Sequence, residues 1–304
     1  MKKVSNTFLI KLYEETKKNN SECSLDEILY KAFNQVKESD TDSFEEFRTL
    51  ILTANGIDEY KYYTKNVRPE IKRYIENIIF PQYALNDQGH GIVHIKEVIR
   101  RSFALKDTLK LDLNDDMVYV IAACHDWGKY EEKKDVGERH ATIAAKRFMN
   151  DETMPNFFNE EQRLTIKEAI EDHSSSLAEL PRSKYGELVS SADRNTRIEI
   201  VFIRSFFVGK VRTPDMTIEE FLDFTFKRLS KRYGHDSEKE NMFLEDETYQ
   251  VFLKDMRTLL QDEVKFKNLY CEVNHISLES RGKNRVKDEV GEVGYTRQVE
   301  EEER

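Results

Sequence analysis

Residues that interrupt helices are scarce in this chain. Its 304 residues include only 5 prolines and 11 glycines, and these two residue types are the strongest local breaks in regular structure. Several segments repeat apolar residues at intervals of three and four, whereas no segment shows the strict alternation that is typical of a half-buried strand. The sequence therefore predicts an all-α fold.

Changes of pattern along the chain divide it into four parts. Residues 1–66 predict an N-terminal helical extension, residues 67–215 a helical core, residues 216–275 further helices packed on that core, and residues 276–304 a flexible charged tail. Capping boxes mark three helix starts, because a hydroxyl and a carboxylate three residues apart satisfy the free amides of a first turn. These pairs are Ser24/Glu27, Ser43/Glu46 and Thr217/Glu220.

Composition limits the expected location of this chain and the ligands it can bind. No run of 18 apolar residues is present, so we expect no membrane span and a cytoplasmic location. The 3 cysteines are far apart and form no CxxC pair, which argues against a cysteine-based zinc site. Because the net charge is -10, we expect no bulk binding of nucleic acid. A local cationic pocket for a small phosphorylated substrate is compatible with this charge.

One segment is apolar on nearly every side and ends in two polar residues. The stretch from Asp116 to Asp126 contains MVYVIAACHD, a pattern that predicts a helix at the centre of a bundle. His125 and Asp126 lie at its carboxyl end, where burial of a carboxylate is costly unless a metal ion or a hydrogen-bond network compensates it. Gly128 follows and can end this helix in a left-handed conformation.

Histidines are concentrated around this segment. Five of the seven lie between positions 90 and 173, where an even scatter would place about two. His94 adjoins an apolar helix face, His173 continues the apolar stripe of Ile166 and Ile170, and Asp193 lies between small residues in SSADRN. Imidazole nitrogen and carboxylate oxygen without thiolate suit one or two divalent ions, with manganese, iron, cobalt, nickel and zinc all open.

The order of these residues resembles the H…HD…D signature of the HD domain superfamily of metal-dependent phosphohydrolases. His94, the pair His125 and Asp126, and the distant Asp193 match that signature, and HDWGK resembles a frequent form of its central motif. The segment PRSKYG is similar to the PRSxYG segment of a bacterial subgroup. The resemblance covers roughly residues 70 to 210.

The resemblance implies an HD-type helical bundle, with helical extensions on either side, that holds two metal ions sharing Asp126. The first ion would have the ligands His94, His125, Asp126 and Asp193. The second would be completed by His140 and His173. A hydroxide held between the ions would be the nucleophile, so that no side chain attacks the phosphate.

Four further side chains are candidate substrate-binding residues with other interpretations open. His90 lies one helical turn before His94 and binds the substrate, supports or replaces His94 as a ligand, or belongs to the loop. Lys129 contacts a substrate phosphate and takes part in catalysis with Asp126, or is an ordinary surface lysine. Arg182 and Arg194 bind the phosphate, or Arg182 anchors a loop and Arg194 pairs with Asp193 or another nearby carboxylate.

The leading function is hydrolysis of a phosphate ester or anhydride of a nucleotide-like small molecule. One alternative keeps the same ligands and changes the chemistry, because some HD-fold proteins are two-iron oxygenases. Another is a non-catalytic nucleotide-sensing or scaffold protein in which the helical extensions bind a partner. A homo-oligomer is compatible with all three.

Overall fold

The computed structural model describes residues 5–36, 44–131, 139–174, 180–234, 243–277 and 284–286. Within these ranges the regular structure consists of helices, with fourteen α-helices and no strand, which confirms the all-α prediction. The helices are α1 Asn6–Asn19, α2 Leu25–Phe33, α3 Phe44–Ala54, α4 Glu59–Tyr63, α5 Pro69–Tyr74, α6 Ile92–Thr108, α7 Asp115–Cys124, α8 His140–Asn150, α9 Glu160–Asp172, α10 Lys184–Ala192, α11 Ile198–Arg212, α12 Ile218–Tyr233, α13 Glu247–Leu260 and α14 Glu263–Val273. No helix in the described part is both long enough and apolar enough to cross a membrane.

The chain divides into two compact units, Met1–Asp193 and Arg194–Arg304. The first unit contains α1 to α10, and the second contains α11 to α14. The finer four-part division, with boundaries after residues 66, 215 and 275, stays a prediction.

Helix α7 is the centre of the first unit. Helices α6, α8, α9 and α10 pack against it, and each side chain from Val118 to Cys124 is fully buried. Burial on all sides agrees with the apolar pattern of this segment, since each buried valine or isoleucine contributes about 1.5–3 kcal/mol. The packed helix fixes the position of the two residues that follow it, His125 and Asp126.

The N-terminal helices of the first unit support α6 and α7. Helices α2 and α4 pack on α6. Arg100 of α6 pairs with Glu97 at 2.8 Å and lies 3.4 Å from Asp26 of α2. The hydroxyl of Tyr60 in α4 lies 2.6 Å from the hydroxyl of Tyr119 in α7. These polar contacts hold the N-terminal helices against the two helices that carry His94 and His125.

The apolar segment LVSSADRNTRIEIVFIRSFF predicts one long helix that contains Asp193, and this prediction is wrong. Helix α10 ends at Ala192 and α11 begins at Ile198. Asp193 still has helical dihedral angles, with φ −72° and ψ −5°, whereas Arg197 is extended, with φ −132° and ψ 129°. Apolar periodicity continues on both sides of this break, so the sequence pattern gives no sign of it.

The helix starts follow the predicted capping chemistry where the side chains are described. Reciprocal capping boxes are present at Ser24 with Glu27 and at Thr217 with Glu220. The third predicted pair, Ser43 with Glu46, lies outside the described side chains.

Aromatic side chains form the core of the second unit. The ring centroid of Phe202 lies 5.0 Å from that of Phe266 and 4.7 Å from that of Tyr270. Ile276 and Val286 are buried in the same core. The beginning of the segment predicted as a flexible tail is therefore packed, and most of its other residues lie outside the described ranges.

Candidate metal centre

Helix ends of the first unit carry the candidate ligands. His94 lies in the first turn of α6, and His140 is the first residue of α8. His125, His173 and Asp193 directly follow the last residues of α7, α9 and α10. Because these five helix ends meet, side chains that are up to about a hundred positions apart in the sequence share one small volume.

Four side chains form a first group of possible ligand atoms. Asp126 Oδ2 lies 3.7 Å from His94 Nε2 and 3.4 Å from His125 Nε2. Asp193 Oδ1 lies 3.0 Å from His94 Nε2 and 3.8 Å from His125 Nε2. Two ligand atoms that are each about 2.1 Å from one ion lie roughly 3–3.5 Å apart. These separations fit one ion, and we call the four residues the first position.

The second carboxylate oxygen of Asp126 faces two other histidines. Asp126 Oδ1 lies 3.5 Å from His140 Nε2 and 3.8 Å from His173 Nε2. The two Nε2 atoms are 3.1 Å apart. We call Asp126, His140 and His173 the second position. Since Asp126 contributes one oxygen to each position, it has the geometry of a carboxylate that bridges two ions.

Backbone carbonyl groups orient two of the imidazole rings. His125 Nδ1 lies 2.8 Å from the carbonyl oxygen of Ala122, and His173 Nδ1 lies 2.6 Å from that of Ile170. A carbonyl oxygen only accepts, so each Nδ1 donates its hydrogen. In the neutral ring the lone pair is then on Nε2, which is the arrangement that a metal ligand requires.

The polar groups of the cluster are buried and incompletely paired. His125 is 0 % exposed, Asp126 2 % and His173 1 %. Among the described residues, His125 Nε2 and Asp126 Oδ1 are buried and make no hydrogen bond, a condition that costs about 1–3 kcal/mol for each group. A divalent ion in the first position would compensate His125 Nε2, and one in the second position would compensate Asp126 Oδ1. The residues therefore fit a metal, and their nitrogen and oxygen donors suit borderline or hard divalent ions.

The ionisation of the cluster is strongly coupled. Burial alone would lower the pKa of His125, but the charges of Asp126 and Asp193 raise it to about 9. Burial and the neighbouring charge of His125 lower the pKa of His173 to about 4. Burial opposes ionisation of Asp126, yet His125 and His173 hold the pKa of this carboxyl well below its usual range. The site thus favours an ionised bridging carboxylate beside a neutral His173.

Two residues near His125 and Asp126 lie at the edge of this cluster. Lys129 Nζ lies 2.8 Å from His140 Nδ1, so Lys129 adjoins the second position. His90 Nδ1 lies 2.7 Å from Asp87 Oδ1, and its ring centroid is 6.0 Å from that of His94. His90 is therefore beside the first position without joining the groups whose atoms lie close enough to share an ion.

The two predicted phosphate-binding arginines are engaged elsewhere. The side chain of Arg182 donates to both carboxylate oxygens of Asp172, at 2.8 Å from Oδ1 in the shortest of these contacts, and also to Glu171. This arrangement matches the loop-anchoring interpretation. The guanidinium of Arg194, in the second unit, lies over the rings of Tyr249 and Phe243, 5.1 and 5.6 Å from their centroids. Phosphate binding by either arginine stays a prediction.

Arg101 and Asn86 support the cluster, and neither was singled out from the sequence. Arg101 is 5 % exposed, and its Nε donates to the carbonyl of Ala192 at 3.0 Å, at the turn that carries Asp193. Asn86 Nδ2 donates to the carbonyl oxygens of His90 and Asp126, at 2.9 and 3.2 Å. Arg101 is seven residues after His94 and so on the same face of α6, a spacing that could have indicated it.

Comparison with known proteins identifies no relative. No protein-family model matches the chain, and neither a curated protein nor a solved structure is significantly similar to it. The buried groups that could hold a metal are three overlapping sets of histidine and aspartate, as far as the described residues extend. Membership of the HD superfamily therefore stays a proposal, supported by the six ligand residues and their geometry.

Proposed function

We propose that the first unit is an HD-type metal-dependent phosphohydrolase that works with two divalent ions. The observation that carries this proposal is the position of Asp126, whose two oxygens face separate pairs of histidine nitrogens at 3.4–3.8 Å. A buried carboxylate needs positive charge close to it, and two ions would supply that charge when the surrounding imidazoles are neutral. Such a centre suits substrates whose reaction develops negative charge on oxygen.

Each part of the site has a distinct role in this proposal. Bound divalent ions would supply Lewis acidity toward phosphoryl oxygens and make water acidic enough to ionise at neutral pH. Asp126 would bridge and align the ions, while the carbonyls of Ala122 and Ile170 hold two imidazoles in the orientation a ligand needs. Lys129, beside the second position, would contact a substrate phosphate as a mobile point charge.

The substrate we propose is a small phosphorylated molecule of nucleotide type. An ammonium group beside the candidate ions favours an anionic substrate over a neutral one. The chain as a whole carries a net charge of -10, which disfavours long nucleic acids except at a local cationic site. A cytoplasmic location and a metal ion such as manganese or iron belong to the same proposal.

Elemental analysis of protein purified without added metal, combined with a hydrolysis screen, tests this function. We expect one or two equivalents of a divalent ion, and release of phosphate or a nucleotide product from part of a nucleotide panel with Mn²⁺. Asp126→Ala should lose bound metal and at least roughly a thousandfold in rate, since several kcal/mol of charge stabilisation disappear. Asp112→Ala, which changes an exposed aspartate just before α7, is the matched control.

Other results would select a different function. Full hydrolysis by Asp126→Ala would contradict the mechanism. Oxygen consumption by the iron(II)-loaded protein, without phosphate release, would favour the oxygenase. Metal content near zero together with tight nucleotide binding would favour the non-catalytic sensor or scaffold.

A further inference from the structure

A directed chain of hydrogen bonds runs through the second position. Lys129 Nζ lies 2.8 Å from His140 Nδ1, His140 Nε2 lies 3.1 Å from His173 Nε2, and His173 Nδ1 lies 2.6 Å from the carbonyl oxygen of Ile170. An ammonium group has donors only and a carbonyl oxygen accepts only. Both ends of the chain are therefore fixed in direction.

The fixed ends determine where the hydrogen of His140 lies. Since Lys129 donates to Nδ1, the hydrogen of a neutral His140 ring is on Nε2, and Nε2 donates to His173. A metal ion in the second position needs the lone pair of His140 Nε2, which requires the hydrogen on Nδ1 instead. The ring neither gains nor loses a proton in this exchange; the hydrogen only changes nitrogen. With a hydrogen on Nδ1, however, His140 can no longer accept from Lys129.

The histidines of the first position have different partners. The Nδ1 of His125 donates to the carbonyl oxygen of Ala122 at 2.8 Å, so a neutral His125 ring has its lone pair on Nε2, the form that binds metal. His94 Nε2 lies 3.0 Å from Asp193 Oδ1, a carboxylate oxygen that accepts its hydrogen and would itself be a ligand of the ion. Filling the first position therefore moves hydrogens but no side chain, whereas filling the second position moves Lys129.

We propose that Lys129 and a metal ion compete for His140, so that the two positions fill in order and the second fills only when Lys129 turns away. This inference rests on the proposed function, because it assigns both positions to metal ions. It adds a role for Lys129 as a positioning residue that limits occupancy of the second position. Under the same proposal, a substrate phosphate is the anion that would draw Lys129 from His140.

Titration of the metal-free protein with Mn²⁺ tests the competition. Calorimetry gives the affinity and number of ions, and electron paramagnetic resonance detects spin-coupled pairs of Mn²⁺, which report the second position directly. In Lys129→Met we expect the second ion to bind about tenfold more tightly, or more, because a charge-assisted hydrogen bond no longer has to be broken. The first ion should keep its affinity within about threefold.

Lys146→Met is the matched control, because Lys146 is an exposed lysine on α8, the helix that begins with His140. It should bind both ions as the natural protein does. An unchanged second affinity in Lys129→Met would overturn the inference, and so would an equal rise for both ions, which would indicate a general effect of charge. If the natural protein bound no metal, the proposed function would fail. Normal binding of metal together with an unresponsive Lys129→Met would refute the competition alone.

Discussion

The two units of this protein differ in what they bury. Among its described residues, the first buries six histidine, arginine and aspartate side chains at a relative exposure of 9 % or less: His94, Arg101, His125, Asp126, Asp172 and His173. In the described part of the second unit, Asp246 is the one such carboxylate, and it accepts from the Tyr249 amide at the start of α13. Its other described buried side chains are apolar or aromatic, or are uncharged polar groups at Ser205, Thr225 and Asn274.

This difference is the reason for assigning the proposed chemistry to the first unit. Burying a charged group costs several kcal/mol unless a partner compensates it, so a purely structural helical unit has no physical reason to concentrate such groups. The second unit shows that the same chain can build a helical core without them. The proposed metal ions would compensate His94, His125, Asp126 and His173, whereas Asp172 pairs with Arg182 and Arg101 donates to the carbonyl of Ala192.

The largest effect on stability should come from the aromatic core of the second unit. Phe202→Ala removes a fully buried ring that contacts Phe266 and Tyr270, and we expect it to lower the free energy of unfolding by about 3–5 kcal/mol. Chemical denaturation measures this loss. Phe224→Ala, at a side chain that is 43 % exposed, should change little. A large loss of bound metal in folded Phe202→Ala would contradict the assignment of metal binding to the first unit alone.

Metal addition should stabilise the first unit selectively. At free Mn²⁺ a hundredfold above its dissociation constant, we expect a gain of about 2.7 kcal/mol in the free energy of unfolding. Amide hydrogen exchange should show the added protection at the ends of α6, α7, α9 and α10. In Asp126→Ala, added Mn²⁺ should increase neither the free energy of unfolding nor the amide protection. Equal protection of α11 to α14 would mean that the ion acts on the whole chain.

Loss of the arginine that supports Asp193 should have an intermediate effect. Arg101→Met leaves the carbonyl of Ala192 without its donor, and we expect a loss of about 2 kcal/mol together with weaker Mn²⁺ binding. Its neighbour Arg100 pairs with Glu97 and Asp26. Arg100→Met should therefore reduce stability without weakening metal binding. If both variants bound Mn²⁺ as the natural protein does, Arg101 would have a structural role alone.

The smallest effects should be alike in the two units. Asn159 caps α9 in the first unit and Thr217 caps α12 in the second, each within a capping box. Asn159→Ala and Thr217→Ala should each cost about 1 kcal/mol, as measured by thermal denaturation. Similar losses of stability would show that helix capping contributes equally in both units, so that the units differ in their buried charged groups and not in their local helix structure. A severalfold larger cost at either site would indicate that its cap also supports tertiary packing.

The sequence by itself determined the properties that depend on local order. The all-α class could be predicted from the scarcity of proline and glycine and from the apolar period of three to four residues. The unbroken apolar run before His125 predicted that α7 is buried. Capping boxes at Ser24 and Thr217 were also readable, because a cap involves residues only three positions apart. Even the residue types of the candidate site were visible, since polar groups stood out at the ends of apolar segments.

Only the tertiary structure decided which of these residues meet. Periodicity indicates which side of a helix is buried, but not which other helix end lies against it. No pattern within a short segment could therefore predict the 3.0 Å contact of His94 with Asp193 or the 2.8 Å contact of Lys129 with His140. The break after Asp193 and the engagement of Arg182 by Asp172 were hidden for the same reason. Distances between groups far apart in the chain are set by how whole helices pack, and the chemistry of this site depends on those distances.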